Sequence, residues 1–197
     1  MESRLTWEES KALRGDDPRP SDWSRPSDEA LVARARGGDA TGLEQLYVRY
    51  REHVYNLCLS IIGDRDEAQD LLQETFVRAH RALPRFRGDA QFSTWLHRIA
   101  LNLCQDALRR RKRTAGLASS LPEQGAEPLA AAQEVRAALL RLRPRHRIVL
   151  ALRYQQALSY QEIADLLRWP LGRVKVTLHR AKRAFKEAYL GAEGDES

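Results

Sequence analysis

The chain has little of what an enzyme or a membrane protein shows in its sequence. It has two cysteines and five histidines without metal-ligand spacing, no P-loop and no G-x-G-x-x-G motif. No stretch approaches the roughly 20 apolar residues of a membrane span. The N-terminal MESRLTWEESK lacks the apolar core of a signal peptide. We therefore expect no catalytic activity, cofactor, metal or membrane insertion, and a cytoplasmic location.

The two cysteines, Cys58 and Cys104, occupy apolar positions of helical patterns and form no close pair. Buried free thiols are the expected state, as in a reducing compartment, and a disulfide is the alternative. The scattered histidines are interpreted as residues of the surface or of the stripe edges rather than as ligands: His53, His80, His97, His146 and His179.

The sequence also lacks the alternation of polar and apolar residues that marks β-strands. Apolar residues recur instead at three- and four-residue intervals, which predicts an all-α protein of two small helical domains. The predicted segments are a flexible N-terminal tail (1–27), a first domain (28–113), a Gly-, Ser- and Pro-rich flexible linker (114–128), a second domain (129–191) and a C-terminal tail (192–197).

Charge is distributed unevenly within a net charge of +6. Between Arg141 and Lys186 the chain has twelve Lys or Arg and only two acids, which favours an anionic partner. Between Asp64 and Glu74 the balance reverses, with five acids against Arg65. A protein that only coated nucleic acid would gain little from that segment, so a second kind of partner is indicated.

The stretch from Ser159 to Lys186 predicts a helix-turn-helix. Ser159 and Glu162 have capping-box spacing, and Pro170 ends the helix that they begin. A second helix buries a stripe that includes Val174 and Leu178. Its other side carries cations and no acids, which suits the major groove of DNA. An ordinary helical hairpin with a solvated basic face is the alternative.

Two further segments of the first domain carry candidate contacts. Asp66, Asp70, Gln73, Glu74 and Val77 share one helical face, which is either a docking surface or simply solvated. Residues 85–113 combine aromatic rings with eight cations, as single-stranded DNA requires, because rings stack on bases while cations hold phosphates.

The aromatic residues of that second segment divide by position. Phe92 and Trp95 are expected in the core, whereas Phe86 and Arg87, in a loop, are candidates for base contact. The five adjacent cations at 109–113 are either phosphate contacts or a solvated charge run.

Taken in order, these segments resemble the extracytoplasmic-function (ECF) group of the sigma-70 family, the promoter-specificity subunits of bacterial RNA polymerase. The resemblance covers about residues 28–190 and rests on DEALVARARGGDATGLEQLYVRY, DEAQDLLQETFVRAHRAL, FSTWLHRIALNLCQDALRRRKR, LRPRHRIVLALRY and YQEIADLLRWPLGRVKVTLHRAKRAFKE.

The resemblance implies a function for each segment. It implies docking on the clamp helices of the largest subunit of core RNA polymerase through Asp66, Asp70, Gln73, Glu74, Phe76 and His80. It implies capture and melting of single-stranded -10 DNA by Phe86, Arg87, Asp89, Arg98, Asn102, Arg109, Arg110 and Arg113. It implies readout of duplex -35 DNA by Arg173, Lys175, Val176, Thr177, His179, Arg180 and Arg183. It also implies an anti-sigma factor as a partner, and no enzyme active site.

The recognition helix departs from the family pattern P-x-G-T-V-K-S-R-L. Thr177 stands where arginine is usual, Val176 replaces serine, and Arg168 replaces a frequent glycine before the turn. Since Arg bound to guanine is the commonest specific base contact, the preferred DNA sequence should shift. Arg173 is a candidate for that contact, and Val176 and Thr177 could instead touch thymine methyl groups.

Two other function classes are compatible with parts of the sequence. A stand-alone helix-turn-helix regulator would bind duplex DNA without polymerase, but the acidic face and the loop aromatics argue against it. A helical adaptor without a DNA role would not need the acid-free recognition helix.

Overall fold

The computed structural model describes residues 26–114 and 130–193, and these form helices joined by short turns. The first half contains α1 (Asp28–Arg36), α2 (Ala40–Ile62), α3 (Arg65–Ala82), a 3-10 turn (Leu83–Arg85) and α4 (Phe92–Thr114). The second half contains α5 (Ala130–Arg141), α6 (Pro144–Leu150), a π-helical turn (Ala151–Gln155), α7 (Tyr160–Leu167) and α8 (Leu171–Glu193). Neither described half contains a strand, so the all-α prediction is confirmed. The predicted N-terminal tail and linker fall almost wholly outside the described residues.

Short polar side chains begin the first three helices. The Ser27 side chain accepts a hydrogen bond from the Ala30 N–H at the start of α1. The side chains of Asp39 and Asp64 accept equivalent bonds from main-chain N–H groups at the starts of α2 and α3. Gly63 ends α2 with a φ of 83°, a left-handed conformation that glycine adopts without strain. These local signals fix where α1, α2 and α3 begin and where α2 ends.

Helix α2 forms the centre of the first half, with α1, α3 and α4 packed around it. Its side chains Leu46, Val54, Leu57 and Ile61 are fully buried. Cys58 of α2 and Cys104 of α4 are both buried free thiols, as expected. The neighbouring Cys58 thiol, across the α2–α4 contact, and burial together raise the pKa of Cys104.

The second half builds its core from α6, α7 and α8, and contains the predicted helix-turn-helix. Ser159 and Glu162 form the capping box, with Ser159 N–H to Glu162 Oε2 at 2.7 Å. Arg168 ends α7 at a φ of 55°, which is a strained conformation for a residue with a side chain. Pro144 both follows α5 and occupies the first turn of α6, where its missing N–H is not needed.

The two halves pack against each other. Helix α2 contacts α5, α6 and the π-helical turn, and α4 contacts α7. At Gly63 a β-carbon would lie 2.4 Å from Cδ2 of Leu140 in α5, so a larger residue at this position would require the Leu140 side chain to move. Each half has its own buried residues, and the contact between the halves is an additional layer.

Candidate nucleic-acid and docking interfaces

The acidic face of α3 is exposed as predicted. Asp66, Asp70 and Gln73 are exposed, and Val77 keeps 41% of its surface accessible in the same row. Glu74 is half-exposed and accepts a 2.7 Å ion-pair hydrogen bond from Arg78 Nε one turn later. The face therefore offers carboxylates around an apolar side chain, a composition suited to contact with another protein.

Two other predicted docking residues differ in their position. His80 is exposed at the end of α3. Phe76 is buried, and its ring packs edge-on against Tyr47 with centroids 4.8 Å apart. Phe76 belongs to the core stripe of α3, so its assignment to the docking surface is corrected to a supporting position beneath that surface.

The loop before α4 leads into an aromatic cluster. Phe92 is buried as predicted, and Trp95 is half-buried beside it with centroids 5.6 Å apart. Phe86, predicted as a loop residue that contacts a base, is half-buried and packs on Trp95 with ring centroids 4.9 Å apart. Arg87 and Asp89 are exposed next to it. The partly accessible ring of Phe86 therefore lies beside two exposed polar side chains and packs on one buried and one half-buried ring.

Arg98 and Asn102 lie one turn apart on α4 but differ in availability. Asn102 is exposed. Arg98 is half-buried, and its Nη2 donates a 3.2 Å hydrogen bond to the main-chain oxygen of Asp165 in α7. Its Nε is buried without a hydrogen-bond partner among the described residues. In this arrangement Arg98 caps a helix of the second half and is not free to contact DNA.

The basic run at the end of α4 divides into exposed and inward-facing cations. Arg109, Arg110 and Arg113 are exposed, as a phosphate-binding role requires. Arg109 hydrogen-bonds Asp106, which lowers the pKa of that carboxyl. Arg111 instead turns inward.

Arg111 ties α4 to the turn between α2 and α3. Its Nη1 donates a 3.0 Å hydrogen bond to the main-chain oxygen of Ile62, and it forms ion pairs with Glu67 and Asp64. Its place in the run is therefore structural.

Helix α8 presents its predicted cations on the side away from the core. Val174 and Leu178 are buried, as the apolar stripe predicts, and Thr177 is half-buried at the edge of the stripe. The remaining predicted contacts are exposed: Arg173, Lys175, Val176, His179, Arg180 and Arg183. Arg183 donates a 3.0 Å hydrogen bond to Glu187, whereas the guanidinium carbon of Arg173 lies 4.2 Å from the ring centroid of Trp169.

The contact between the halves contains polar residues that the sequence did not single out. Gln155 Nε2 donates a 2.6 Å hydrogen bond to Ser60 Oγ, and Gln156 Nε2 donates a 3.1 Å bond to the main-chain oxygen of His53. Both glutamines stand at the π-helical turn, whose wider spiral changes the direction of successive side chains. A π turn has no propensity signature, so these partners could not be found from the sequence.

Two histidines predicted at the surface or at stripe edges are buried, which corrects that interpretation. His97 is only 4% exposed, and no hydrogen bond reaches either ring nitrogen from the described residues. Burial, and then the nearby His53, lower the pKa of His97 to about 4, against an opposing effect of the Gln156 side chain. His146 is also buried, and desolvation lowers its pKa. His97 is therefore a neutral imidazole at the contact between the halves.

The described residues contain no group of three or more His, Cys, Asp or Glu side chains able to hold a metal ion. Within residues 26–114 and 130–193, every helix is too short or too polar to cross a bilayer.

Comparison with known proteins matches both halves to one family. The family model described as Sigma-70 region 2 matches residues 46–114, and the one described as Sigma-70, region 4 matches residues 132–185. The first match contains α3 and α4, and the second contains the helix-turn-helix.

Individual relatives extend the match over most of the chain. The ECF RNA polymerase sigma factor SigW of Bacillus subtilis is 31% identical over 174 residues, covering 79% of this chain and 93% of that protein. The RNA polymerase sigma-H factor of Pseudomonas aeruginosa is 32% identical over 183 residues, covering 84% and 95%. A solved structure of CnrH in complex with the cytosolic domain of CnrY has a TM-score of 0.65 and 26% identity, covering 86% of this chain and 99% of that one. Because two family models cover more than half of its length and relatives aligned over nearly their whole length share about a third of the aligned residues, this chain belongs to the ECF group of sigma-70 family RNA polymerase sigma factors, the promoter-specificity factors of transcription initiation.

Proposed function

We propose that the acidic face of α3 docks on the clamp helices of the largest subunit of core RNA polymerase. The observation that supports this most directly is the exposed row Asp66, Asp70 and Gln73 around Val77. A protein that only bound DNA would be repelled through such a face. Glu74 completes the row, with Arg78 holding its carboxylate in place.

Promoter recognition is divided between the two halves in this proposal. The exposed cations of α8 read the -35 element as duplex in the major groove. Arg87, Asp89 and the half-exposed ring of Phe86 receive a base flipped from the -10 element, and Arg109, Arg110 and Arg113 hold phosphates. Asn102 adds a polar contact on the same helix. Arg98 joins them once it is released from Asp165.

Strand separation follows from binding energy rather than from covalent chemistry. Extruding a base costs a few kcal/mol, and stacking it on an aromatic ring returns about 1–3 kcal/mol per base. Phosphate contacts and the polymerase supply the remainder. The protein thus acts as a specificity factor without an enzyme reaction of its own, in the bacterial cytoplasm where polymerase and chromosome are found.

The two halves separate when the promoter is bound. The -35 and -10 elements lie roughly 25 base pairs apart, or about 85 Å at ~3.4 Å per base pair. In this structure α4, the proposed -10 helix, touches α7 of the helix-turn-helix. The two DNA elements cannot both be engaged while that contact persists.

An anti-sigma factor is the remaining proposed partner. The solved CnrH structure is described as a complex with the cytosolic domain of CnrY, and it matches this chain over both halves. An anti-sigma factor that bound this chain over both halves would withhold it from polymerase.

The docking assignment is tested by Glu74→Arg, which places a cation in the acidic row. We expect at least a ten-fold loss of affinity for core RNA polymerase, with an unchanged circular dichroism spectrum, because the Glu74–Arg78 pair is exposed and contributes at most about 1 kcal/mol to stability. Glu44→Arg makes the same charge change at an exposed position of α2 and serves as the control. Equal affinities for Glu74→Arg and the control would refute the docking surface.

A further inference from the structure

The first turn of the recognition helix holds an arginine stacked on a tryptophan. The guanidinium carbon of Arg173 lies 4.2 Å from the ring centroid of Trp169, a distance typical of a cation–π contact. Arg173 is exposed, whereas Trp169 is half-buried and packs against the core. The ring therefore forms a fixed base on which an exposed cation rests.

The backbone fixes both partners of this stack. The Trp169 N–H donates a 2.9 Å hydrogen bond to the oxygen of Ala164 at the end of α7. The Arg173 N–H donates a 2.9 Å bond to the oxygen of Pro170 at the start of α8. Because the proline ring also restricts φ between them, the backbones of Trp169 and Arg173 are held in one relative orientation, from which their side chains meet at 4.2 Å.

The charge of Arg173 has no protein counterpart here. The first turn of α8 contains no acidic residue, and the positive end of the helix dipole lies at this terminus. None of the ion pairs among the described residues involves Arg173, whereas Arg183, farther along α8, is paired with Glu187. A cation at this position gains a counterpart only when an external acceptor approaches.

The chemistry of the stack favours a base over a phosphate as that acceptor. A phosphate presents several oxygens that a cation can approach from many directions. A phosphate contact therefore does not require a guanidinium held in one orientation. Bidentate bonding to O6 and N7 of guanine requires a guanidinium plane held in one orientation, and stacking provides that while leaving the N–H edge exposed. Residues in the N-terminal turn of a recognition helix are also those that reach base edges.

We propose that Trp169 is a positioning residue that holds Arg173 for bidentate readout of a single guanine in the duplex bound by α8. This rests on the proposed -35 role of the second half and identifies the base that it selects. It also gives a function to Arg173, which stands at the threonine position of the family pattern P-x-G-T-V-K-S-R-L, four residues after Trp169.

The experiment uses the full chain bound to core RNA polymerase and a promoter library randomised in the upstream element. Bound duplexes are sequenced for wild type and for Arg173→Ala, Trp169→Leu and Trp169→Phe. Leucine keeps apolar packing and removes the ring face, whereas phenylalanine keeps a ring. We expect wild type to prefer guanine at one position by roughly ten-fold over other bases. Arg173→Ala and Trp169→Leu should lose that preference at that position alone, and Trp169→Phe should retain most of it.

Salt dependence separates base readout from phosphate contact. If Arg173 reads guanine, the slope of log affinity against log salt should be the same for wild type and Arg173→Ala, measured on duplexes lacking the selected guanine. A slope reduced by about one, with affinity lowered equally on all duplexes, would overturn the proposal in favour of a phosphate contact. An unchanged base preference in Trp169→Leu, or its loss in Trp169→Phe as well, would overturn the positioning role. Absence of any selected motif with wild type would instead contradict the promoter-binding function itself.

Discussion

Arg98 of α4 donates a 3.2 Å hydrogen bond from Nη2 to the main-chain oxygen of Asp165, which lies in the last turn of α7. The last carbonyls of a helix lack internal partners and carry partial negative charge, so a guanidinium there stabilises α7. The same arginine is a proposed -10 contact. If α4 binds the -10 element as proposed, Arg98 would have to leave Asp165 to contact DNA, so the hydrogen bond and the proposed contact belong to different states of the protein.

This relationship predicts that locking the halves together abolishes promoter melting. Asn56 and Gln155 are exposed and line the same groove between the halves, so Asn56→Cys with Gln155→Cys offers a pair for a short, thiol-cleavable bis-maleimide. The native Cys58 and Cys104 are fully buried and escape a brief treatment. We expect cross-linking to reduce open-complex formation at least ten-fold and cleavage to restore it, with each single-cysteine variant as a control. Melting at the wild-type rate by the cross-linked chain would show that the halves need not separate.

Neighbouring arginines of the basic run should respond in opposite ways to mutation. Arg111→Ala removes a hydrogen bond to Ile62 and ion pairs to Glu67 and Asp64, so we expect the free energy of unfolding to fall by about 1–2 kcal/mol. Arg113→Ala removes an exposed cation and should leave stability within about 0.5 kcal/mol while weakening binding to -10 single strands. Urea denaturation and strand binding measure the two effects. Similar stability losses in both variants would contradict the inward placement of Arg111.

Arg168 stores strain that glycine should release. Its φ of 55° is unfavourable for a residue with a β-carbon. We expect Arg168→Gly to raise the free energy of unfolding by about 0.5–1 kcal/mol, seen as a higher urea midpoint. Gln161→Gly, at an exposed position within α7, is the matched control and should lower it by about 1 kcal/mol. A loss of stability in Arg168→Gly would mean that the arginine side chain contributes more than its backbone costs.

Buried His97 should make stability dependent on pH below neutrality. Its pKa of about 4 in the folded chain lies below the unfolded value of about 6.5. Above pH 6.5 the His97 imidazole is neutral in both the folded and the unfolded chain. As the pH falls from 6.5 to 4, the unfolded chain binds a proton that the folded chain excludes, so stability decreases by on the order of 3 kcal/mol.

The variant His97→Phe removes this contribution while keeping an aromatic ring. Its free energy of unfolding should vary less between pH 7 and pH 4.5 than that of wild type, whereas His80→Phe, at an exposed position, should follow wild type. Parallel pH profiles for wild type and His97→Phe would show that His97 is accessible to protons in the folded state.

Local signals in the sequence were sufficient to predict the helices of the described residues. Ser159 and Glu162 cap the helix that they were expected to begin, and Val174 and Leu178 face the core. Capping and periodicity depend on residues within one or two turns, so they can be identified without knowing the tertiary structure.

The predicted positions were wrong for residues that lie on the apolar stripe of a helix but were placed at the surface because of their side-chain type. Phe76 follows Leu72 by four residues and was placed on a docking surface, yet it is buried with that stripe. His97 precedes Leu101 by four and Cys104 by seven, so its burial could have been inferred. Arg111 follows Ala107 by four in the same way. In each case the helical spacing was the better guide.

The contact between the halves could not be predicted from the sequence, for a different reason. It joins residues about a hundred positions apart, such as Ser60 and Gln155, through a π-helical turn without sequence signature. The hydrogen bond between Arg98 and Asp165 likewise depends on how complete helices meet.

The promoter-specificity function is tested most directly by transcription with core RNA polymerase to which the purified chain is added. Fragmented genomic DNA of the host serves as template, and the 5′ ends of the transcripts are sequenced. We expect the chain to bind core enzyme and to yield discrete start sites that share an upstream duplex motif and a second motif about 25 base pairs downstream. No association with core enzyme and no specific starts would contradict it and leave duplex binding by the helix-turn-helix alone.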